Sequence, residues 1–466
     1  MTGKPKSRLE KSGVSLKDHP MSVRALIGGY LSAAFAITFL AALSVYLEYP
    51  YAAAFSILIA WVIIPILWIT DRISFDGRRI RRTGLVPRII ARATGMRDRL
   101  KLSDIEQVET IAFPGIRRGR NVYFTYRTAI VGKGVRFTMS SKYKGFGDVV
   151  RSVLQRLDED VLDITSIDIR DYFFEKHVAG ERVRRSEIPS SDVLDSSFRD
   201  IHLKPAADNY PSDDSDSVER AKRLRRLANE LRLSGFLVQA LEAFRRAAIL
   251  RPRDAKLLFE FSECIRSVAG YERDENLERK ARAMMRLAER HAGNDSELLS
   301  RIGESYFQVG DWQRAGKVFK RVVGAIGENF RTLRGQAELA LREGKMAHVI
   351  HNFAAAEQVA GTTSLRRWTR SEVEYFSHLN EDEEYMELEI SRINLLDTLD
   401  RLRRSSFRFC VSGFVVIILG IALPNDSIAN IGWAISGISL VVWIVTLLMS
   451  KMLAPRIPFE LMEVDE

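Results

Sequence analysis

Cysteine is scarce in this sequence, which excludes an extracellular protein held together by disulfides. The 466 residues contain two cysteines, Cys264 and Cys410. One falls in a helical pattern and the other inside a long apolar run, so no disulfide framework is expected between them. This usage is typical of a reducing compartment.

Motifs that carry chemistry are also lacking. The sequence has neither a GxxxxGK[ST] phosphate loop nor a GxSxG nucleophile elbow. His348 and His351 are three residues apart, but no further ligand joins them with metal-site spacing. We therefore predict a protein that is not an enzyme and binds no metal or cofactor. An unrecognised enzymatic activity is a third interpretation, after a membrane-anchored adaptor and a structural subunit of a membrane complex.

Charge is absent from four long stretches. The first two have 23 and 22 residues without Asp, Glu, Lys, Arg or His, separated by Glu48. The four stretches are Ala25–Leu47, Tyr49–Thr70, Phe409–Asn425 and Ile428–Ser450. A helix of about 20 apolar residues crosses the hydrocarbon core of a bilayer, so the sequence predicts two transmembrane α-hairpins, 25–70 and 409–450. Spans without ionisable residues argue against a transport pathway.

Basic residues flank the predicted spans on one side only. Lys and Arg cluster before the first span, after the second, before the third and after the fourth, whereas the loops at Glu48 and Asp426 contain none. By the positive-inside rule both termini (1–24 and 451–466) and the segment 71–408 are cytoplasmic, in a bacterial inner membrane. The net charge of +10 therefore does not indicate a nucleic-acid partner.

Residues 71–185 have the pattern of a small β-rich module. Apolar side chains alternate through Asn121–Val131, a Gly132-Lys133-Gly134 turn follows, and the alternation resumes at Val135. This predicts a β-hairpin. Arg78–Arg82 and Arg88–Ala93 are predicted as short strands, and a stripe from Phe146 to Leu157 predicts a closing amphipathic helix.

A short motif gives this module a family resemblance. The stretch Leu102-Ser103-Asp104-Ile105, followed by Val108-Glu109, precedes the hairpin and its closing helix. This order resembles the bacterial pleckstrin-homology-like (PH-like) domain over roughly residues 75–160. The resemblance implies a β-rich domain next to paired membrane spans, but no particular ligand.

The first part of this module is strongly basic. Arg72–Arg120 contains 13 Lys and Arg against 5 Asp and Glu. We predict a membrane-surface contact with anionic headgroups by Arg78, Arg79, Arg81, Arg82, Arg117, Arg118 and Arg120. A topology signal together with ordinary solvated surface explains the same charges and stays open.

Residues 186–220 lose all hydrophobic periodicity. Between Glu187 and Ser217 stand 8 acidic and 2 basic residues, with three prolines and many serines. Such a segment buries too little apolar surface to offset its chain entropy, so it is predicted to be a flexible acidic linker.

Residues 221–363 contain an internal repeat. In the first unit small residues recur at Ala228, Ala240 and Ala247, and Pro252 ends the unit. Small residues at these positions allow two antiparallel helices to touch. The spacing resembles the 34-residue tetratricopeptide repeat (TPR), which implies an all-α solenoid of about four repeats with a concave groove.

The resemblance also assigns residues to that groove. In the family it is lined by the first helix of each unit, which here places Lys222, Arg225, Asn229, Arg232, Lys256 and Arg266 in it. Arg225 and Asn229 are similar to part of a clamp for a peptide's terminal carboxylate, but Glu263 and Glu304 stand where that clamp needs other residues. We expect a peptide-binding groove. A carboxylate-specific groove and a purely architectural solenoid remain open.

The predicted fold is a multi-domain membrane protein with two transmembrane hairpins, a PH-like module and a TPR solenoid closed by capping helices at 364–408. Gly413 and Gly420 are suited to close helix packing in the third span. The predicted function is that of a membrane-anchored adaptor that recruits a cytoplasmic protein. The alternative is a structural subunit of a larger membrane complex, held through its spans. The sequence leaves the partner and the oligomeric state open.

Overall fold

A computed structural model describes residues 21–94, 98–118, 121–172, 188, 215–272, 274–325, 327–423 and 425–453. These residues form two compact units. The first contains two β-sheets and three helical pairs, and the second contains a fourth pair, two further helices and most of the apolar helices.

A four-stranded sheet joins the two ends of the first apolar hairpin. Strand β1 (Met21–Arg24) leads into helices α1 (Gly28–Tyr46) and α2 (Pro50–Thr70), after which β2 (Arg72–Phe75) returns to pair with β1. The pairing is antiparallel, with Arg24 opposite Arg72. Strand β1 consists of the last four residues of segment 1–24, which was predicted as a basic terminus without a strand.

The sheet continues through β3 (Arg79–Thr83) and β4 (Arg99–Lys101), in the order β1-β2-β3-β4. Between these strands lies helix α3 (Leu85–Thr94). The prediction of a strand at Arg88–Ala93 is therefore wrong. Pro87 falls in the first turn of α3, where its missing N–H costs no hydrogen bond, and Leu85 and Ile89 have helical spacing.

A three-stranded sheet follows, made of β5 (Gln107–Arg118), β6 (Asn121–Gly132) and β7 (Val135–Ser140). The predicted hairpin is confirmed, with Gly132 paired to Val135. The predicted amphipathic helix is also confirmed as α4 (Phe146–Leu154), whose buried stripe includes Val149 and Val153. The short helix α5 (Ile164–Asp171) ends this module.

Eight helices form four antiparallel pairs. The pairs are α6 (Ser215–Ser234) with α7 (Leu237–Leu250), α8 (Ala255–Glu272) with α9 (Glu275–His291), α10 (Ser296–Gln308) with α11 (Trp312–Ala325), and α12 (Phe330–Arg342) with α13 (Met346–Val359). The predicted helical repeat is confirmed. The linker was predicted to extend to residue 220. Residues 215–220 instead form the start of helix α6.

Glycines in the left-handed conformation end the first helix in three of these pairs. Gly235, Gly310 and Gly344 have φ between 71° and 87°. After each one, the next amide donates to a carbonyl five residues back, for example Phe236 to Leu231. Glycine adopts this conformation without a Cβ clash, and the bond satisfies a carbonyl at the helix end.

The second unit ends in long helices. Helix α14 (Thr363–Glu381) is followed by α15 (Glu383–Ala422), which runs without a break from the predicted capping region into the third apolar stretch. The predicted boundary at residue 408 is therefore not a break in structure. Helix α16 (Asp426–Leu453) returns along α15, and Arg392 donates to the Leu453 carbonyl at 2.7 Å.

Among the residues that the structure describes, four helices are long and apolar enough to cross a membrane. In α15 and α16 glycines bring the backbones together: a Cβ on Gly420 would lie 2.4 Å from the Ala429 nitrogen. Helix α1 packs on α16, where the Phe39 and Trp433 ring centroids are 5.4 Å apart. Near the loop ends of both hairpins, the Tyr46 hydroxyl donates to the Asn430 side chain at 3.0 Å.

Candidate functional site: the face of the helical repeat bound by α5

The most polar buried region of the first unit lies where α5 meets the helical repeat. Helix α5 begins at Asp163, whose carboxylate accepts hydrogen bonds from the Ser166 amide at 2.9 Å and the Thr110 amide at 3.3 Å. The Thr110 hydroxyl also contacts the hydroxyls of Thr128 and Ser166. These bonds fix α5 to the second sheet and leave its other side for the repeat.

An ion pair joins α5 to α6. The Arg232 guanidinium donates to the Asp168 carboxylate at 2.5 Å and to the Asn229 side-chain oxygen at 3.2 Å. Arg232 is 9% exposed. Burial raises the pKa of Asp168, while the charge of Arg232 opposes this rise. A buried arginine paired with a carboxylate holds two elements in one register, because removing either partner leaves an uncompensated charge.

A second cluster surrounds Glu260 on α8. Its carboxylate accepts hydrogen bonds from the Tyr172 hydroxyl at 2.6 Å and from the Asn229 amide at 2.7 Å. Arg225 approaches the same carboxylate at 3.2 Å. Tyr172, the residue after α5, is 8% exposed and Asn229 is fully buried. Burial raises the pKa of Glu260, and the charge of Arg225 opposes this effect.

The third pair of the repeat and the first turn of α12 also contact the module. Arg301 on α10 bridges Glu159, at 3.0 Å, and Glu297, at 2.6 Å. Arg331 donates to the backbone carbonyls of Glu159 and Leu162 at 2.8 and 3.1 Å. Burial raises the pKa of Glu159, but the hydrogen bond from Arg170 and the charge of Arg301 outweigh it and bring that pKa to about 2.

A cavity of about 180 Å³ lies beside these contacts. Its polar lining includes Arg232, Asp168, Glu263, Arg266 and Gln308. The two arginines are balanced by the two carboxylates, since Arg266 bonds to Glu263 and Arg232 to Asp168. A lining with no excess of either charge does not select an anion or a cation.

The structure brings together three of the six predicted groove residues. Arg225, Asn229 and Arg232 share one face of α6, but that face is bound by α5 and Tyr172 of the same chain. Lys222 is exposed and Lys256 is half-buried. Arg266 lines the cavity. Binding of a peptide by these residues stays a prediction.

The predicted membrane-surface arginines occupy different environments. Arg78 and Arg79 are exposed at the β2–β3 turn. Arg81 lies 3.8 Å from Asp98, and Arg82 bonds to the buried Asp71 at 2.6 Å. The remaining three residues are Arg117 and Arg118, within β5, and Arg120, which lies outside the described residues.

Sequence patterns did not identify the residues that fill the groove. Asp168 stands in a short helix and Tyr172 directly follows it, and the polar residues of this segment have no recognisable motif. Buried carboxylates on the repeat, such as Glu260, are the one available signal, because a buried charge requires a partner. Within the described ranges, no cluster of three or more His, Cys, Asp or Glu side chains is placed to hold a metal ion.

Comparisons with known proteins add little to this geometry. No protein-family model matches the sequence, and no curated protein matches it. Among solved structures, the chain is similar to one in the crystal structure of the APC/C hetero-tetramer Cut9-Hcn1, with 12% identity and a TM-score of 0.29. The match covers 64% of this chain and 52% of that one, so this chain spans about half the length of its match. The helical repeat therefore rests on its own helices and turns.

Proposed function

We propose that this chain is a scaffold anchored in the bacterial inner membrane, whose helical repeat recruits a cytoplasmic protein. The observation that carries the proposal is the arrangement of the chain: two apolar helical hairpins bracket a β module and a helical repeat. Helical repeats present extended surfaces to other proteins, and anchoring one raises the local concentration of whatever it binds. The proposal assigns no catalytic, cofactor or nucleic-acid role.

Contacts at both ends of the hairpins support the proposed topology. Pairing of β1 with β2 holds the residues before α1 and after α2 in one sheet. Tyr46 and Asn430 join the two hairpins near their loops, and Arg392 meets Leu453 at the opposite end of the second hairpin. Each hairpin then crosses the membrane twice, and the basic flanks remain on the cytoplasmic side.

A second function is favoured by the binding of α5 to the repeat. Because Asn229 and Arg232 are buried beneath the chain's own α5, this face of the repeat already has an occupant. A structural subunit, held in a larger membrane complex through its spans, needs the repeat only to brace the β module. In that case partners bind elsewhere on the chain.

Co-purification from gently solubilised membranes distinguishes the two functions. We would compare the intact chain with the triple variant Arg225→Ala, Asn229→Ala, Arg232→Ala. The matched control is Asp168→Ala with Tyr172→Phe, which breaks the same contacts from the α5 side and leaves the α6 face unchanged.

If the chain is an adaptor, the intact chain captures a cytoplasmic protein and the triple variant does not. The Asp168→Ala, Tyr172→Phe control captures the same protein in an equal or greater amount. Greater capture by the control is expected because release of α5 uncovers the residues of the groove. If all three proteins bring down the same membrane proteins and no cytoplasmic one, the spans hold the assembly and recruitment through the groove is contradicted.

A further inference from the structure

Helix α3 begins where the first apolar hairpin ends. Strand β3 runs back along β2 until Thr83 lies opposite Arg72, and the Thr83 hydroxyl donates to the Arg72 carbonyl at 3.0 Å. The next residue, Gly84, packs closely on Asp71: a Cβ added to Gly84 would lie 3.1 Å from the Cα of Asp71. Helix α3 therefore starts beside the residue that directly follows α2.

One face of α3 combines exposed apolar and basic side chains. Leu85 and Ile89, one turn apart, are 56% and 65% exposed. Arg88 and Arg92 are exposed on the same face, since positions i, i+3, i+4 and i+7 of a helix lie together. No acidic residue occurs in Leu85–Thr94. A soluble protein surface rarely presents this composition, whereas a helix lying on a membrane requires it.

The neighbouring junction has the side chains typical of a membrane interface. The Trp68 indole donates to the Ala25 carbonyl at 3.1 Å, and its ring lies 6.1 Å from that of Tyr143. The Arg24 guanidinium stands 5.5 Å from the centre of the Trp68 ring. Trp, Tyr and Arg concentrate at the headgroup level of bilayers, which indicates the depth at which α3 begins.

We propose that α3 is an interfacial helix that lies on the anionic lipid surface beside the first hairpin. Leu85 and Ile89 enter the boundary between headgroups and acyl chains, and Arg88 and Arg92 contact lipid phosphates. This inference rests on the membrane anchoring in the proposed function. It adds a lipid-binding surface that the basic residues of the strands do not provide.

The arginines of the β2–β3 hairpin are less suited to this contact. Arg82 is bonded to the buried Asp71. Arg78 and Arg79 lie at the far end of β2, about 10 Å of strand from Arg72. That distance is about one Debye length at physiological salt, so their attraction to the surface is strongly screened.

A fluorescent label on α3 tests the proposal in the full chain. The variant Ile89→Cys would be labelled with an environment-sensitive NBD probe and placed in nanodiscs of phosphatidylcholine with one quarter phosphatidylglycerol. Two lipids, one with a nitroxide near its headgroup for position 89 and one with a nitroxide on its acyl chain for position 57, quench the probe only on contact. Arg79→Cys is the matched control at the β2–β3 turn, and Ile57→Cys, half exposed on α2, reports on the span. The parent chain, treated identically, corrects for labelling of its own cysteines.

We expect quenching at positions 89 and 57 and none at position 79. Quenching at 57 but not at 89 overturns the interfacial helix and leaves the membrane anchor intact. No quenching at 57 overturns the anchor, and the interfacial helix with it. A blue-shifted probe at 89 that the nitroxide does not quench means that protein covers α3, which also overturns the proposal.

Charge removal tests the anionic part of the contact. Adding Arg88→Gln and Arg92→Gln to the Ile89→Cys chain preserves helix propensity and removes both cations. Each arginine near an anionic surface contributes roughly a fivefold factor to binding. We therefore expect the ratio of bound to free α3 to fall roughly 25-fold in the anionic discs, and to be unchanged in discs of phosphatidylcholine alone. Equal quenching of the two chains in the anionic discs would overturn the phosphate contact.

Discussion

Asp163 carries an ionisable group at the point where the second sheet meets α5. Burial raises the pKa of Asp163 to about 7, although the hydrogen bonds from the Ser166 and Thr110 amides oppose the rise. The folded pKa lies above the ordinary aspartate pKa of 3.8, so the folded state binds the proton more tightly than the unfolded state does. The stabilising contribution is complete below about pH 4 and is lost as the pH rises through about 7.

The substitution Asp163→Asn should therefore abolish part of the pH dependence of stability. The native chain is expected to be less stable at pH 8 than at pH 5, as measured by hydrogen exchange of the α5 amides, because its Asp163 ionises. The Asn variant, which keeps an oxygen for the cap, should lose less protection between pH 5 and pH 8 than the native chain does, after correction for intrinsic exchange.

Glu159 does not interfere in this interval. Its pKa is lowered from 4.5 to about 2, so its stabilising contribution is complete above about pH 4.5 and is lost only as the pH falls toward 2. Parallel exchange profiles for the native chain and the Asn variant between pH 5 and 8 would contradict the assignment to Asp163.

For the predicted groove residues, the sequence indicated which side chains share a helix face but not which residues they contact. Arg225, Asn229 and Arg232 were predicted to share a face because they recur on one side of a helix, and they do share it. Their partners were not predictable in the same way. Asp168 lies 64 positions from Arg232 and Tyr172 lies 88 positions from Glu260, and no local spacing encodes such a pairing.

Helices α15 and α16 approach each other closely through glycine. A Cβ on Gly420 would meet the backbone nitrogen of Ala429 at 2.4 Å, and backbone atoms cannot yield as a flexible side chain does. We expect Gly420→Ala to destabilise the second hairpin by roughly 1–3 kcal/mol, the usual cost of overpacking. The measurement is the thermal unfolding midpoint of the intact chain in mild detergent.

Gly437 on α16 provides the matched control. A Cβ at Gly437 would lie 3.7 Å from the Phe39 ring, an ordinary van der Waals contact. Gly437→Ala adds the same methyl group in the same pair of helices and should leave the midpoint nearly unchanged. Equal effects of the two substitutions would show that close backbone approach at Gly420 does not limit stability.

Elements with a long repeated pattern were predicted well, and short ones were not. The helical repeat was recognised because small residues such as Ala228 and Ala240 recur at fixed positions and are fully buried. Strand β1 has four residues, too few to show a period of two, and it depends on β2 beyond the apolar hairpin. Helix α3 was mistaken for a strand because Gly84 and Pro87 are also typical of a turn between two short strands.

At the scale of the whole chain, two separate sets of contacts join the part before the predicted linker to the part after it. In the first unit, α5 binds α6 through Asp168, and the flanking residues Tyr172 and Glu159 bind α8 and α10. In the second, α1 packs on α16 through Phe39, Tyr46 and Trp433. A chain cleaved at a protease site inserted in the predicted linker should therefore remain one particle.

Substitutions in each set test this expectation. Loss of a buried ion pair through Arg232→Ala, or of a packed aromatic ring through Trp433→Ala, costs roughly 3 kcal/mol. Either substitution alone should leave the cleaved halves together on a sizing column in mild detergent, and the two combined should separate them. Dissociation after Arg232→Ala alone would contradict a role for the apolar helices in holding the halves.

The pairing of β1 with β2 also sets an order of events during synthesis. Strand β1 leaves the ribosome before either apolar helix, but β2, the strand with which it pairs among the described residues, emerges after both. In the proposed topology, a hairpin that failed to cross back would leave the two strands on opposite sides of the membrane. Val23 and Ile73, both buried in the finished sheet, would then stay uncovered and open to quality-control proteases. In the proposed topology, completion of this small sheet therefore requires that the hairpin has been inserted correctly.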